Sequence, residues 1–569
     1  MATRPNDLIY AVDDVPPWPR LLLLGAQQAL LVSVYLVLVV IVFRRANADP
    51  DTTVTAVSLG LVALAVSTAL QALRLGPVGS GYLAPPVFSA IYLAPALAAA
   101  EAGGLPAVFG MTGFAALLEL CLAPMVTRLR GLFPPAVSGL IVMVVGLELG
   151  IIGMKDVLAV DQRHQPDFAV HVFTACLTLG LMVGLSVWGR GLLRLLCSAI
   201  GVLAGLLLSA ALGLVDADDW YGFLAAPAFA LPHPGYLAYS FSPELAPAFA
   251  IAACAAMLRT VGVVTTCQKI NDAAWKRPDL HSIQGGVVAD GLGCALGGLL
   301  GGMGMSTAPS LVGVSHASGA TSRSIAFACA AFLLGFALLP KYGAVFLMLP
   351  RPVVGAAVTF TAMFMFVGGL QVILSRNLDL RGTFVVGLST LAAVARGVYP
   401  AYFMTAPDLI RSMGGSMLSL AAVAALALNS VFRLGATRRA SIRLGATPGS
   451  LDELERQLRA DAEAWGVDGE LTDRAVEATR GLIGHLEEAR LVQGEVEAKV
   501  ALDAAELAIT LAYAGAPLIL PHTSVRHRLL IEEQAFSYSL ADLLSGVHPD
   551  RMTGRAEGER VAITLSFDR

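Results

Sequence analysis

Long apolar stretches alternate with short polar breaks over the first three quarters of the chain. A stretch of about 20 apolar residues is long enough to cross a bilayer as a helix. The pattern predicts thirteen or fourteen such spans, at residues 20–43, 53–73, 83–101, 103–124, 134–154, 168–188, 192–214, 245–267, 285–303, 306–320, 322–340, 343–375, 382–399 and 407–432. We therefore expect an all-α polytopic membrane domain over residues 20–432, preceded by an N-terminal tail at 1–19.

Two of these spans, 83–101 and 306–320, are poor continuous helices. They are broken by prolines or glycines, at Pro85, Pro86, Pro95, Pro309, Gly313 and Gly319. Non-helical backbone is not tolerated against lipid, so these breaks must face protein or a water-filled cavity. Interrupted spans at corresponding positions of two halves are typical of the midplane site of a transporter.

The character of the chain changes after about residue 446. A charged, helix-periodic stretch is followed by three alternating stretches, VEAKVAL, ELAITLAYAG and ERVAITLSFD. This pattern predicts a soluble, cytoplasmic α+β domain over 447–569, joined to the membrane domain by a linker at 433–446.

Composition agrees with a membrane protein, since 56% of the 569 residues are hydrophobic and only 14% are charged. The net charge of -4 and the lack of a basic block give no reason to expect a nucleic-acid partner. All seven cysteines lie in apolar segments without metal-ligand spacing, so we expect no metal and no cofactor. The sequence contains no nucleophile–base pair that would indicate an enzyme. The N-terminus has three acidic residues before Pro16 and no cleavage-site pattern, so no signal peptide is expected.

Basic residues are more frequent in the predicted inner loops and directly after the last span. The latter group is Arg433, Arg438, Arg439 and Arg443. This positive-inside balance predicts that both termini lie in the cytoplasm, in a membrane of the bacterial inner-membrane type, which requires an even number of spans.

Several motifs resemble one known family. They are ADGLGCALGGLLGGMGMSTAPSLVGVSHASGATSR at 289–323, GAQQALL in the first span, LFPPAVSGLIVMVVGLELG at the fifth, and LPRPVVGAAVTFTAMFMFVGG late in the membrane domain. Residues 20–432 thereby resemble the nucleobase–ascorbate transporters, the nucleobase:cation symporters that include the xanthine/uracil permeases. The resemblance implies fourteen spans in two inverted seven-span repeats, core and gate domains, and strand-plus-half-helix elements in spans three and ten. It also implies a secondary active transporter that forms a homodimer.

The chain departs from the family where the solute site is expected. Three residues before the glycine of the eighth span, Gly262, the family has a glutamate that recognises the base and is tied to proton coupling; here it is Arg259. The Gln/Glu–Asn pair of the tenth span aligns with Ser310 and Leu311, just after Pro309, which has no N–H to offer.

Arg259 therefore carries the sharpest functional hypothesis. A guanidinium is not deprotonated in proteins, and its planar fork suits a carboxylate or an enolate-like ring edge. We expect a fixed positive charge in the solute cavity and a solute that is anionic or electron-rich, such as a urate-like or xanthine-like anion or a small carboxylate. A coupling cation remains open. Two structural alternatives also remain: snorkelling towards the cytoplasmic side, or a buried pair with Glu119 or Glu148.

Other polar or aromatic residues complete the predicted site. Phe88 and Ser89 align with the position where the family stacks its base, and Gln27 of the Gln27–Gln28 pair is a hydrogen-bonding candidate across the core domain. The residues assigned to substrate binding are Arg259, Ser310, Leu311, Phe88, Ser89 and Gln27. Candidates for coupling or structural roles are His316, Ser318, Glu119 and Glu148, and we interpret Asp290 as structural.

The C-terminal domain resembles the ATP-binding fold of anti-sigma-factor and histidine kinases. In VEATRGLIGHLEEA, Glu477 and His485 match that family, but the magnesium-binding asparagine falls on Gly481. In AYAGAPL, Gly515 matches, while the aspartate is replaced by Tyr513 or Ala514. The resemblance implies this fold without nucleotide hydrolysis.

Two other functions stay open at this point. A permease fold with altered coupling residues, joined to a kinase-like domain with altered ligands, would suit a non-transporting membrane sensor or scaffold. A sulfate-permease-like anion transporter would share the fourteen-span architecture and a cytoplasmic C-terminal domain, although the DGLG and PPAVSG strings favour a nucleobase permease.

Overall fold

A computed structural model describes most of the chain. The described residues are 4–5, 8–125, 135–160, 167–190, 192–215, 217–273, 279–374, 378, 380–405, 416–433, 438–444, 450–465, 467–488, 491–502, 506–515, 549, 551–557 and 560–568. The chain divides into two compact units, Met1–Leu428 and Asn429–Arg569. The parts of predicted elements that lie outside the described residues include 134 of the fifth span, 375 of the span at 343–375, 407–415 of the last span, 434–437 and 445–446 of the linker, 516–518 of the AYAGAPL stretch and 559 of the ERVAITLSFD stretch.

The first half of the membrane unit consists of apolar helices and one short strand. In chain order these are α1 (Trp18–Ser33), α2 (Leu36–Arg45), α3 (Pro50–Ala72), β1 (Pro86–Phe88), a 3-10 turn (Ala90–Tyr92), α4 (Leu93–Leu122), α5 (Pro135–Val157), α6 (Phe168–Trp188), α7 (Leu192–Leu195), α8 (Cys197–Ala211) and α9 (Ala217–Ala225). The helix α3 begins behind its N-cap Asp49, whose carboxylate accepts a 2.9 Å hydrogen bond from the Thr52 N–H. The bonds from Thr52 lower the pKa of Asp49.

The second half has the same kinds of element in a similar order. They are α10 (Ala246–Asn271), α11 (Leu280–Leu299), β2 (Met305–Thr307), α12 (Pro309–Ala317), α13 (Ser324–Ala337), α14 (Pro340–Leu347), α15 (Arg351–Ile373), α16 (Leu380–Val398), α17 (Pro400–Met404) and α18 (Met417–Arg433). The span predicted at 285–303 starts too late in the sequence. Asp279 caps α11 by accepting from the N–H groups of His281 and Ser282, so the helix begins at Leu280.

Among the described residues, seven helices are long and apolar enough to cross a membrane, or eight if the bent pair α13–α14 counts as one span. The axes of α13 and α14 differ by 81°. The prediction of a single span over 343–375 is wrong at its start, because the chain leaves the helix before Pro350 and resumes as α15 at Arg351. A proline fixes its own φ and disfavours helix in the residue before it, which explains the break.

The helix α4 contains the boundary predicted between spans three and four. Gly103 and Gly104 are non-helical, and Gly104 has φ +66° with ψ -161°, a conformation open almost only to glycine. The residues before this break form a half-helix that follows β1. The residues after it form a separate apolar helix that reaches Leu122.

Helix contacts in the two halves follow one plan. Helix α4 of the first half packs against α10 and α11 of the second half. Helix α13 of the second half packs against α1 and α3 of the first half. The most extensive pair joins α5 to α15, the corresponding long helices of the two halves. Helices at equivalent positions therefore make equivalent contacts across the unit.

The two strands of the membrane unit meet each other. They pair antiparallel, with Pro86 opposite Thr307, Val87 opposite Ser306 and Phe88 opposite Met305. We call this pair of strands, Pro86–Phe88 with Met305–Thr307, the strand crossing. The half-helix after β1 and the helix α12 after β2 both begin beside it. The strand-plus-half-helix elements predicted at 83–101 and 306–320 are present at these positions.

The C-terminal unit is an α+β structure with an antiparallel sheet. Its elements are β3 (Arg438–Leu444), α19 (Ser450–Trp465), α20 (Gly469–Glu488), β4 (Val492–Leu502), β5 (Glu506–Gly515), β6 (Arg551–Glu557) and β7 (Arg560–Asp568). The strand order is β3-β4-β5-β7-β6, and all neighbours run antiparallel. Buried apolar residues of both helices, such as Leu458 and Leu482, share one core with sheet residues such as Ile509 and Leu565.

The assignment of 433–446 as a linker is wrong for residues 438–444. These residues form the edge strand β3, paired with β4 over Arg438–Leu502 to Leu444–Val496. Their arginines gave the stretch a polar character, but an edge strand exposes one side to solvent and often carries charged side chains. The folded unit therefore begins before residue 447.

Candidate functional site

Ser89 follows β1 directly and caps the 3-10 turn Ala90–Tyr92, which leads into the first half-helix. The Ser89 N–H donates to the Gly304 carbonyl over 3.0 Å, which ties the end of β1 to the segment before β2. The Ser89 hydroxyl accepts from the Ile91 N–H over 3.3 Å. Ser89 is fully buried, so its hydroxyl has a fixed environment at the start of this helix.

Arg259 reaches this crossing from the neighbouring helix α10. Its Nη1 donates to the Ser89 Oγ over 3.1 Å, and the side chain is partly buried. Tyr35 and Asp290 are the titratable groups with which its charge interacts. The guanidinium thus lies at the strand crossing, where the first half-helix begins.

Neither predicted acidic partner pairs with Arg259 in the described part of the chain. Glu148 on α5 accepts from the backbone N–H groups of Met417 (3.1 Å) and Leu418 (3.4 Å) at the start of α18. Glu119 on α4 is fully buried, and its closest charged neighbour is Asp290. The bond to Ser89 also directs the guanidinium towards the end of β1 rather than towards the C-terminal end of α10.

The second half-helix, α12, presents a polar face near the same point. Ser310, Gly313 and His316, three residues apart, are all exposed. The Ser310 hydroxyl lies 3.1 Å from that of Tyr35, a residue at the break between α1 and α2. Sequence reasoning missed Tyr35, because no proline or glycine marks that break; an isolated phenol in a run of aliphatic residues is the one available signal.

Two glycines leave open space on α10 and α12. A Cβ at Gly262 or at Gly313 would meet no atom within 4 Å. Gly262 lies one turn after Arg259 on the same side of α10, and α10 contacts α12. The backbone of α10 one turn after Arg259, and that of α12 at Gly313, are therefore uncovered by other described residues.

Not every predicted contact residue faces such a space. The ring of Phe88 is fully buried and fills the position beside Gly60 and Gly302, where any added Cβ would come within about 3 Å of it. Leu311 is also buried, and its N–H bonds to the Ala308 carbonyl. In this structure Phe88 and Leu311 are core residues, since the strand pairing and the first turn of α12 turn them inward.

The two glutamines of the first span have different environments. Gln28, not Gln27, makes the bond across the core: its Nε2 donates to the Ser315 Oγ of α12 over 2.9 Å. Gln27 is 8% exposed and forms no hydrogen bond with any described residue. The Gln28 Oε1 is also buried and has no hydrogen-bond partner among the described residues.

Asp290 on α11 links α10 and β2 next to Arg259 through hydrogen bonds. Its Oδ2 accepts from the Thr260 hydroxyl over 2.6 Å, and its Oδ1 accepts from the Thr307 N–H over 3.0 Å. The hydroxyls of Thr260 and Thr307 lie 2.8 Å apart. Because Thr260 adjoins Arg259, this buried network sets the position of the guanidinium against β2.

The remaining candidates, Ser318 and His316, lie in the C-terminal half of α12 and directly after it. Ser318 donates to the Ser315 carbonyl over 3.0 Å, a local bond at the end of α12. His316 is exposed on α12, two turns from Ser310.

This geometry suits an anion. A helix N-terminus carries a partial positive charge, and half-helix N-termini of this type face anionic solute groups in transporters. Here the Arg259 guanidinium lies at Ser89, before the first half-helix, and the hydroxyls of Tyr35 and Ser310 lie at the start of α12. Two interrupted apolar elements whose strands pair with each other, among helices long enough to cross a membrane, are the architecture of a membrane transport protein.

Comparison with known proteins makes the class specific. The xanthine/uracil permease model, described as "Permease family", matches residues 19–400, and the chain belongs to this family. The xanthine permease XanQ of Escherichia coli is 26% identical over 464 residues, covering 79% of this chain and 98% of that protein. The uric acid permease PucK of Bacillus subtilis is 23% identical over 429 residues, covering 74% and 98%.

A solved structure shares the fold. The murine anion transporter Slc26a9 in its inward-facing state aligns with a TM-score of 0.53 at 13% identity, over 78% of this chain and 72% of that one. The match of the family model confirms the resemblance to xanthine/uracil permeases at the level of family, and Slc26a9 shares the fold.

Ser89 supplies a direct test of how Arg259 is positioned. Replacing Ser89 by alanine removes the acceptor of the guanidinium and the N-cap of the half-helix. We expect roughly tenfold weaker solute binding, since a hydrogen bond to a charged group contributes about 1.5–3 kcal/mol, and a melting temperature slightly below wild type. Calorimetric titration of the purified variant measures the first effect.

Ser306 is the matched control. It lies in β2 opposite Val87, is fully buried, and its hydroxyl has no hydrogen-bond partner among the described residues. The Ser306→Ala variant is expected to bind solute like wild type. Equal losses in the two variants would mean that the crossing tolerates no change, and the specific role of Ser89 would be rejected.

Proposed function

We propose that this protein is a secondary active transporter of the xanthine/uracil permease type, moving a purine or pyrimidine base or a related anionic solute. Family membership supports the reaction class, and the relatives named as xanthine and uric acid permeases support the solute class. The observation that carries the proposal on solute charge is the bond from Arg259 to Ser89 at the strand crossing.

The architecture that goes with this function is fourteen spans in two inverted seven-span repeats. The equivalent contacts of α4 with α10 and α11, and of α13 with α1 and α3, support it. The strand-bearing elements are then spans three and ten. We propose further that both termini are cytoplasmic in an inner membrane of the bacterial type, and that the transporter is a homodimer.

Arg259 changes what such a site can recognise. A carboxylate in a cavity can take up and release a proton, and it accepts hydrogen bonds from a neutral base. A guanidinium stays charged, donates only, and attracts a deprotonated ring edge or a carboxylate. The solute is therefore proposed to be a purine-like anion, with Ser310, Tyr35 and Gln27 hydrogen-bonding its other edges.

The membrane sensor remains the second candidate because a folded C-terminal unit follows the permease unit. Transport and sensing are separated by uptake of radiolabelled purines, pyrimidines and carboxylates into proteoliposomes that contain the full chain. Saturable uptake that unlabelled solute competes away would support transport. Tight binding without uptake under any imposed proton or sodium gradient would support the sensor instead.

The C-terminal unit is proposed to be an ATPase-like fold that no longer hydrolyses nucleotide. By the resemblance, Gly481 falls where such enzymes have a magnesium-binding asparagine, and Tyr513 or Ala514 falls where they have the aspartate of the nucleotide loop. We expect no phosphate release above background when the full-length protein is incubated with magnesium and ATP. Release that persists after further purification, and that is lost in a variant of Glu477, would contradict this proposal.

A further inference from the structure

Glu119 is a buried carboxyl group that the proposed solute site does not use. It is fully buried on α4, and neither of its oxygens receives a hydrogen bond from a described residue. An ionised carboxylate without donors is very costly inside a membrane protein. Glu148, the other deep acidic residue, differs because two backbone N–H groups donate to it.

The surroundings of Glu119 contain acids but no paired base. Glu119 and Asp290 lie on facing segments of α4 and α11, since a Cβ added at Gly291 would come within 3.4 Å of the Leu120 backbone nitrogen, and the charge of Asp290 acts on Glu119. The phenol of Tyr92, the thiol of Cys294 on α11 and the thiol of Cys254 on α10 are its other titratable neighbours. The Tyr92 hydroxyl is likewise fully buried and has no hydrogen-bond partner among the described residues, so unsatisfied polar atoms lie on two neighbouring elements.

The hydrogen bonds decide which of the two acids is ionised. Asp290 accepts from the Thr260 hydroxyl and the Thr307 N–H, and the charge of Arg259 acts on it. Glu119 has no such donors. Two buried carboxyl groups whose charges interact cannot both be ionised without a large cost, so one of them retains a proton. Glu119 is then the neutral acid, and its O–H donates to the Asp290 carboxylate.

We propose that Glu119 carries an exchangeable proton, shared with Asp290, that is coupled to solute binding at Arg259. This inference rests on the proposed transport function. With the proton bound, the charges of Glu119, Asp290 and Arg259 sum to zero; its release to water leaves both carboxylates ionised and a net charge of minus one. The proton carrier of the site would thus lie on α4 instead of at position 259.

Coupling follows from the charges. An anionic solute beside Arg259 offsets the positive charge that stabilises the Asp290 carboxylate, so the pair retains its proton more strongly while the solute is bound. Linkage is reciprocal: the proton must strengthen solute binding by the same factor. Solute and proton would then bind together and leave together.

Infrared spectroscopy tests the proton without any need for transport. A protonated carboxylic acid has a carbonyl band above the amide band, which shifts in heavy water. We expect this band in the purified full-length protein at neutral pH, its loss in Glu119→Gln, and its retention in the matched control Glu148→Gln. Absence of the band in wild type, or an unchanged band in Glu119→Gln, would overturn the proposal.

A second variant covers the case in which Glu119→Gln does not fold. In Glu119→Asp the acid is kept but moved, so the band should shift rather than vanish; an unshifted band would assign it to another residue and overturn the proposal. A wild-type band that is present in choline chloride but absent in sodium chloride would also overturn it, since a sodium ion would then occupy the pair.

Coupling is tested by solute binding across pH. Above the titration of the pair, wild-type affinity for an anionic solute of fixed charge should fall about tenfold per pH unit, the slope for one linked proton. In Glu119→Gln the affinity should vary less than about twofold over the same range. Identical slopes in both proteins would reject the coupling even if the infrared band is assigned to Glu119. Lack of any solute binding in wild type would instead count against the proposed function.

Discussion

The Arg259→Glu variant is expected to lose binding of anionic solutes by about 100-fold or more. A charge-assisted hydrogen bond contributes about 1.5–3 kcal/mol, each 1.4 kcal/mol is about tenfold, and charge reversal adds repulsion. The variant also regains the residue type of the related permeases, so it should favour a neutral base. Calorimetric titration with a purine anion and with its neutral analogue measures both changes.

Two further variants separate charge from shape at this position. Arg259→Ala removes both, and we expect roughly 10- to 100-fold weaker anion binding. Arg259→Lys keeps the charge but not the planar fork, so its loss should be smaller than that of the alanine variant. Wild-type affinity in both the glutamate and the alanine variants would exclude Arg259 from the solute site.

The Asp290→Ala variant is expected to have the largest effect on stability. It leaves the Thr260 hydroxyl and the Thr307 N–H without their buried acceptor. Each unsatisfied buried donor costs roughly 1–3 kcal/mol, so the free energy of unfolding should fall by about 3 kcal/mol or more. Thermal denaturation of the purified protein, followed by intrinsic fluorescence, measures the loss.

Thr260 distinguishes the network from general core packing. Thr260→Val is nearly isosteric and removes only the hydroxyl, so it should be less destabilising than Asp290→Ala. Because the two residues share a hydrogen bond, the double variant should lose clearly less than the sum of the single losses. Strict additivity would show that the bond from Thr260 to Asp290 contributes nothing to stability.

Much of the fold follows from patterns that are local in sequence. Apolar stretches gave the approximate limits of the long helices, and the prolines near Pro85 and Pro309 indicated the two interrupted elements. The break at Gly103–Gly104 fell where the sequence suggested, because a positive φ requires glycine. The split before Pro350 was missed, since hydropathy stays high across it and only backbone geometry separates α14 from α15.

The site was less predictable, because it depends on side-chain direction. The sequence prediction placed both Phe88 and Ser89 in the site, but Ser89 continues the extended backbone just after β1, and adjacent residues of extended backbone face opposite ways. Ser89 meets Arg259, while Phe88 packs into the core. The same limit applies to Gln27 and Gln28, of which the second bonds across to α12. Tyr35 was not found, because its partner Ser310 is distant in sequence.

The edge strand β3 shows a third limit. Residues 438–444 are rich in arginine and follow an apolar helix, a composition that suits a linker or a positive-inside flank. Only pairing with β4, more than fifty residues later, makes them a strand. Long-range pairing of this kind is not visible in local periodicity.

The most direct test of the fixed positive charge is a comparison of two ligands at one pH. The ligands are a purine that is ionised at that pH and its N-methylated analogue that stays neutral, each titrated into wild type and into Arg259→Ala. We predict that wild type prefers the anion by about tenfold or more, and that the alanine variant loses this preference. An equal preference in both proteins would contradict the claim that the Arg259 guanidinium recognises the charge of the solute.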